Sequence, residues 1–216
     1  MTTMTPAEPA AKSATVKPEK SGQRRAFILR RAAEIFDAKG YSNTSLEDIA
    51  AAVGFKREAL YYYFRSKGEI LCEIIRPESE YLTRGMARIR ALTGVSVQQK
   101  IAMAVENHMS RINPNYLEMA VALRELTSQD LDPQLSSVRQ IWREYQDDWI
   151  SLVEEGLTNG ELDARLDARF TAFAILGMCN SPSSWFRTGG NRPLSDLSET
   201  FVRIVLFGTS ARADAS

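Results

Sequence analysis

From Phe27 almost to the C-terminus the apolar residues recur at spacings of three and four, and no stretch sustains an alternation of period two. A helix gathers such positions on one face, whereas a strand would need every second residue. That pattern restricts the chain to an all-α fold, with about nine helices and no internal repeat. Phe27, Ile28, Ala32, Ile35 and Phe36 predict a first helix over 24–39, stopped by Gly40. Leu46, Ile49, Ala50 and Val53 mark a short second helix, opened by the capping pair Ser45 and Asp48. Gly54 supplies a tight turn into a third short helix that ends at Phe64. Ser66 then caps a long fourth helix carrying Ile70, Leu71, Ile74, Ile75, Leu82, Met86, Ile89 and Leu92. Pro77 lies inside it and is expected to kink or break it. Further helices are expected over 97–111, 116–126, 133–157, 167–186 and 196–207. Pro182 should bend the penultimate one near its end.

Charge divides the chain. Residues 1–70 hold twelve Lys/Arg against eight Asp/Glu, and the remainder holds fifteen against nineteen, so the net is zero. A basic front on an acidic body suits an anionic partner at the front. Residues 1–22, rich in Ala, Thr, Pro, Lys and Ser, read as a disordered tail. Two distant cysteines and a single histidine offer neither a disulfide framework nor a metal site, and fit a reducing cytoplasm. The start has no apolar leader, and the run from Phe170 to Cys179 is too short to span a bilayer. No nucleophile elbow, phosphate loop, zinc helix or dinucleotide fingerprint occurs, so the reading is of a non-enzyme without a cofactor.

Two short helices with a glycine turn between them make a helix-turn-helix. Leu60 and Phe64, spaced i and i+4, should face Ile49 and Val53. That turns Tyr61, Tyr62 and Tyr63 partly outward with Arg57 and Glu58. Phenol hydroxyls donate to phosphate oxygens while their rings pack on sugar or a thymine methyl. Lys67 sits at the start of the fourth helix, where free N–H groups already favour an anion.

The segment RRAFILRRAAEIFDAKGYSNTSLEDIAAAVGFKREALYYYFRSKGEIL resembles the DNA-binding domain of TetR-family transcriptional regulators. The match lies in Ala32 with Phe36, Gly40-Tyr41, Ile49-Ala50, Gly54, Leu60-Tyr61 to Phe64, and Ser66-Lys67. The resemblance implies base-facing roles for Arg57, Glu58 and Ala59. It implies phosphate and sugar contacts for Tyr61, Tyr62, Tyr63 and Lys67, and a backbone-abutting start of helix two at Ser45 and Leu46. Lys56 stands where a capping serine is common, so the recognition helix should lack a side-chain cap while Lys56 gains a phosphate. Glu58 is suited to accept from a cytosine amine.

The resemblance also implies three segments: the tail 1–22, a helix-turn-helix domain 23–68, and a helical ligand-binding and dimerisation domain 69–210. The helices bearing Phe170, Ala174 and Met178, and Phe201, Ile204 and Val205, are too apolar for one buried stripe, so a two-fold homodimer should cover them. The C-terminal half resembles KstR-like regulators of fatty-acid and sterol catabolism, which implies a small hydrophobic effector such as an acyl-CoA thioester. Candidate effector contacts are His108, Met109, Tyr116, Met119, Trp142, Tyr145, Phe173, Asn180 and Trp185. The expected partners are an operator in double-stranded DNA, the effector and a second copy, with no membrane. The expected action is that of a repressor released by its ligand. A sensor of lipophilic toxins controlling an efflux pump is the alternative, and a carrier or enzyme with a vestigial head is the reading from another class.

Overall fold

A computed structural model describes residues 18–112, 133–186 and 193–209. The fold is all-α. Helix α1 spans Pro18–Lys39, α2 Leu46–Ala52, α3 Arg57–Tyr61, α4 Lys67–Arg90 and α5 Val97–Met109, which continues as a 3-10 turn, Ser110–Ile112. A second 3-10 turn, Pro133–Leu135, leads into α6, Ser136–Thr158, followed by α7 Ala168–Asn180, the one-turn α8 Pro182–Trp185, and α9 Leu194–Thr209. The expected helix over 116–126 lies outside the described residues.

Helix α1 begins at Pro18, six residues before the expected start, so the end of the presumed tail is helical. Proline at a first helical position loses no needed N–H and is already set to the helical φ. The structure also leaves α4 continuous through Pro77. A proline costs a helix interior about 3 kcal/mol, and here the long packed face of α4 outweighs it. Ile70, Leu71, Ile74, Ile75, Leu82 and Met86 are all buried along that face. Pro182 does more than bend its helix. Helix α7 stops at Asn180, and Pro182 starts the separate short α8.

One apolar core runs from Ile28 on α1 to Val205 on α9. Helix α4 is its spine, packing on α1 at the head and on α5 and α6 in the body. Helix α6 in turn supports α7, and α9 lies on α5. Glycine matters most at Gly40 and Gly54, whose φ values of 81° and 70° turn the chain into α2 and out of it.

Candidate nucleic-acid interface

Helices α1, α2 and α3 form the compact head. Ser45 opens α2 with a reciprocal cap. Its hydroxyl accepts from the Asp48 N–H at 3.1 Å, and its own N–H donates to the Asp48 carboxylate at 2.9 Å. The Ser45 hydroxyl also donates to that carboxylate at 2.7 Å, and Lys39 pairs with it at 3.1 Å. The Ser45 hydrogen bonds, with Lys39 behind them, hold Asp48 down to about 2. The single hydroxyl proton of Ser45 is thus committed within the cap at the start of α2. Leu46 is half-buried against the core.

Leu60 and Phe64 are fully buried and anchor α3 to the rest of the head, as their spacing implied. Arg57, Glu58, Ala59, Tyr61 and Tyr62 are exposed together, and Lys56 precedes them without a side-chain cap, as expected. Helix α3 closes at Tyr61, three residues short of its expected end, so Tyr62 and Tyr63 lie in the turn that follows. Tyr62 is 75% exposed, whereas Tyr63 is half-buried beside Phe55. Arg57 donates to the Tyr61 hydroxyl at 2.9 Å and pairs with Glu47 of α2 at 2.5 Å. Both contacts raise its already high pKa, the Tyr61 bond foremost. Glu47 thus holds the recognition arginine in place before any base does, a pairing the sequence did not indicate.

Lys67 departs further from expectation. Its ammonium donates to the carbonyls of Tyr41 at 2.9 Å, Ser42 at 3.3 Å and Thr44 at 2.9 Å, and sits 4.4 Å from the centre of the Tyr41 ring. An ammonium has three N–H donors, and these carbonyls take all of them. Lys67 is therefore a staple between α4 and the loop before α2, not a free phosphate donor. Arg25, also missed in the sequence, forms a second staple. It donates to the Tyr63 carbonyl at 2.6 Å and to Glu73 of α4 at 2.9 Å, and covers the Phe64 ring at 4.2 Å. The turn after α3 is thereby tied to both α1 and α4.

The head thus presents a short solvated helix of alternating charge and aromatic character on a rigid mount. Two family descriptions match the chain. "Bacterial regulatory proteins, tetR family" covers residues 28–74, and "Tetracyclin repressor-like, C-terminal domain" covers residues 94–209, more than half the length. The chain belongs to the TetR family. This TetR-family chain is 24% identical over 192 residues to the HTH-type transcriptional repressor KstR2 of Rhodococcus jostii strain RHA1, covering 89% of this chain and 93% of that one. The solved structure of the ketosteroid transcriptional regulator KstR2 of Mycobacterium tuberculosis matches with a TM-score of 0.78 and 22% identity, over 88% of this chain and 96% of that one. AibR in complex with isovaleryl coenzyme A and operator DNA matches with a TM-score of 0.69 and 18% identity, over 84% and 97% of the two chains. At these identities the likeness to the solved structures is one of fold.

In the body of this TetR-family subunit the expected effector residues separate into groups. Tyr116 and Met119 lie outside the described residues. His108, Met109, Trp142 and Tyr145 are buried, and Asn180 is half-buried beside them. Tyr145 and Asn180 flank the imidazole, at 3.0 Å from Nδ1 and 2.8 Å from Nε2. The Asn180 oxygen only accepts, so Nε2 carries the proton and Nδ1 accepts from the Tyr145 hydroxyl. Burial lowers the His108 pKa to about 4, against the opposing pull of Asn180, and keeps the ring neutral. Burial likewise raises Tyr145, and pushes the Cys179 thiol up to about 12. The indole N–H of Trp142 is buried without a hydrogen-bond partner among the described residues. Phe173 lies apart, half-buried under Arg169, and Trp185 is 53% exposed on α8. Neither belongs to the His108 cluster.

The expected dimer face also splits. Phe170 and Ala174 of α7 and Ile204 of α9 are exposed, and Met178 is half-exposed. Phe201 and Val205 are buried within the subunit, whereas Ile204 and Phe207 are exposed. They belong to the subunit's own core, unlike the exposed part of the expected face. Phe207 is 73% exposed on the same helix. Among the described residues no three His, Cys, Asp or Glu side chains converge as a metal site, and no helix is long and apolar enough to cross a membrane.

Proposed function

We propose that this chain is a transcriptional repressor that binds an operator as a homodimer and is released by a small hydrophobic effector of the acyl-CoA thioester class. The observation that carries the DNA half is the Arg57–Tyr62 surface. It is exposed as a unit, while Leu60, Phe64, Arg25 and Lys67 fix its orientation from behind. A major groove about 12 Å wide admits such a helix, and the paired subunit supplies a second. The apolar surface of Phe170, Ala174, Ile204 and Phe207 is suited to that pairing. On this reading the head comprises residues 23–68, extended backward by the first turn of α1, and the body comprises 69–210. Helix α4 joins them.

The body's chemistry and the chain's relatives support this effector class. AibR was solved with isovaleryl coenzyme A and operator DNA together, and KstR2 is a ketosteroid regulator. A toxin sensor for lipophilic cations would need an unpaired buried carboxylate. Among the described residues the one buried carboxylate, Glu78, is already held by Arg111 through two bonds of 2.7 and 2.6 Å. The neutral cluster of His108, Tyr145 and Trp142 instead suits a carbonyl or thioester at the head of an apolar chain. An effector must bind the DNA-incompetent state more tightly, with a typical coupling of about 1–3 kcal/mol.

The test uses the purified full chain and a duplex selected from random DNA. Acyl-CoAs of graded chain length and lipophilic cations are screened first for thermal stabilisation, then for release of that duplex. Release by acyl-CoAs and indifference to cations is expected. If every stabilising compound leaves the complex intact, the ligand switch is wrong.

A further inference from the structure

We propose that a second contact surface on the head, built by Arg24 and Phe27 of α1 with Phe55 of the turn after α2, takes the deoxyribose-phosphate backbone flanking the groove that α3 enters. This rests on the DNA-binding reading above and extends its footprint onto a helix not counted in it.

Two adjoining hollows share Arg24 and Phe55. One is completed by Phe27 and Gln23, the other by Ala59, Tyr62 and Tyr63. The patch is therefore continuous with the exposed face of the recognition segment. Phe27 is 49% exposed, on a helix whose neighbouring Ile28 is fully buried. Arg24 is exposed and has no acidic partner among the described residues. No carboxylate lines either hollow, whereas the opposite flank of α3 pairs Arg57 with Glu47. Arg25, one position on, turns the other way onto Glu73 and the Tyr63 carbonyl, which fixes the rotation of α1 and holds Arg24 outward.

The chemistry of this surface is a ring face beside an unneutralised guanidinium. A nucleic-acid backbone offers the complement, apolar sugar C–H surface between phosphates. Guanidinium binds phosphate through two parallel N–H donors, and the exposed face of Phe27 covers the adjoining sugar. A second copy of the head is a poor occupant, because it would bring one Arg24 toward another.

The experiment measures binding of the full chain to a duplex of random sequence across a salt titration. Backbone contacts do not depend on sequence, so no operator need be known. Arg24→Gln is expected to flatten the plot of log affinity against log salt by about 0.9 per head. Phe27→Ser should weaken binding about fivefold without changing the slope, since it removes roughly half a phenylalanine of buried surface. Arg30→Gln, on the same helix but outside both hollows, is the control and should leave the slope unchanged. A wild-type slope in Arg24→Gln overturns the proposal. So does a Phe27→Ser variant that changes self-association in sedimentation but not DNA affinity. If the wild-type chain binds no duplex at all, the regulator reading falls, and this proposal with it.

Discussion

His108 provides a quantitative test of how the body is built. Its ring is 1% exposed and hydrogen-bonded on both nitrogens, and burial drives its pKa from 6.5 down to about 4. The unfolded chain therefore takes up the proton first. The neutral ring's contribution is complete above the unfolded value, is lost as pH falls from about 6.5 toward 4, and changes no further below that. The whole difference corresponds to about 3 kcal/mol, of which roughly 2 kcal/mol disappears between pH 7.5 and pH 5 in each subunit. Urea unfolding of the full chain, followed by fluorescence of the nearby Trp142 and Trp149, measures this at one fixed protein concentration, because a dimer's stability depends on concentration. His108→Gln serves as the reference. It will be less stable at pH 7.5 but should lack this part of the pH dependence, so the two curves converge by about 2 kcal/mol toward pH 5. Parallel curves for the two proteins would show that His108 is protonated as easily folded as unfolded, and would refute the buried neutral assignment.

Other consequences are equally open to measurement. Arg111→Met leaves Glu78, 4% exposed, without its bidentate partner, and should cost about 3–5 kcal/mol in a urea melt. Gly156→Ala would set a methyl 2.7 Å from Leu162 and 2.9 Å from Val97, both buried, so a loss of about 1–3 kcal/mol is expected. Glu47→Gln removes the carboxylate that holds Arg57 and should strengthen binding to duplex DNA, read in a gel shift. Lys56→Ser supplies the missing cap of α3 and should stabilise the head by about 1 kcal/mol while weakening DNA binding if Lys56 meets a phosphate.

The sequence carried the fold class and the head clearly, because both rest on local rules. The spacing of Leu60 and Phe64, the Ser45–Asp48 cap and the glycine at position 54 each specify a short piece of backbone without help from distant residues. What escaped depended on contacts between distant segments. Nothing near Lys67 in sequence says that the carbonyls of Tyr41, Ser42 and Thr44 would converge on its ammonium. The same holds for Arg25, whose partners Tyr63 and Glu73 lie 38 and 48 residues away. On α9, helical periodicity marks Phe201, Ile204 and Val205 as apolar but not which of them faces α5. The packed core claims Phe201 and Val205 and leaves Ile204 outside. Pro77 taught the converse. A strong local rule gave way to the long buried face of α4.

Selection of bound sequences from random duplex DNA, with the stoichiometry of the enriched complex measured by sedimentation, tests the regulator reading most directly. Two chains should occupy each duplex, and the enriched sites should be inverted repeats whose half-sites are about one helical turn apart or a multiple of it. Enrichment of nothing, or of a single unrepeated element held by one chain, would contradict a symmetric pair of recognition helices.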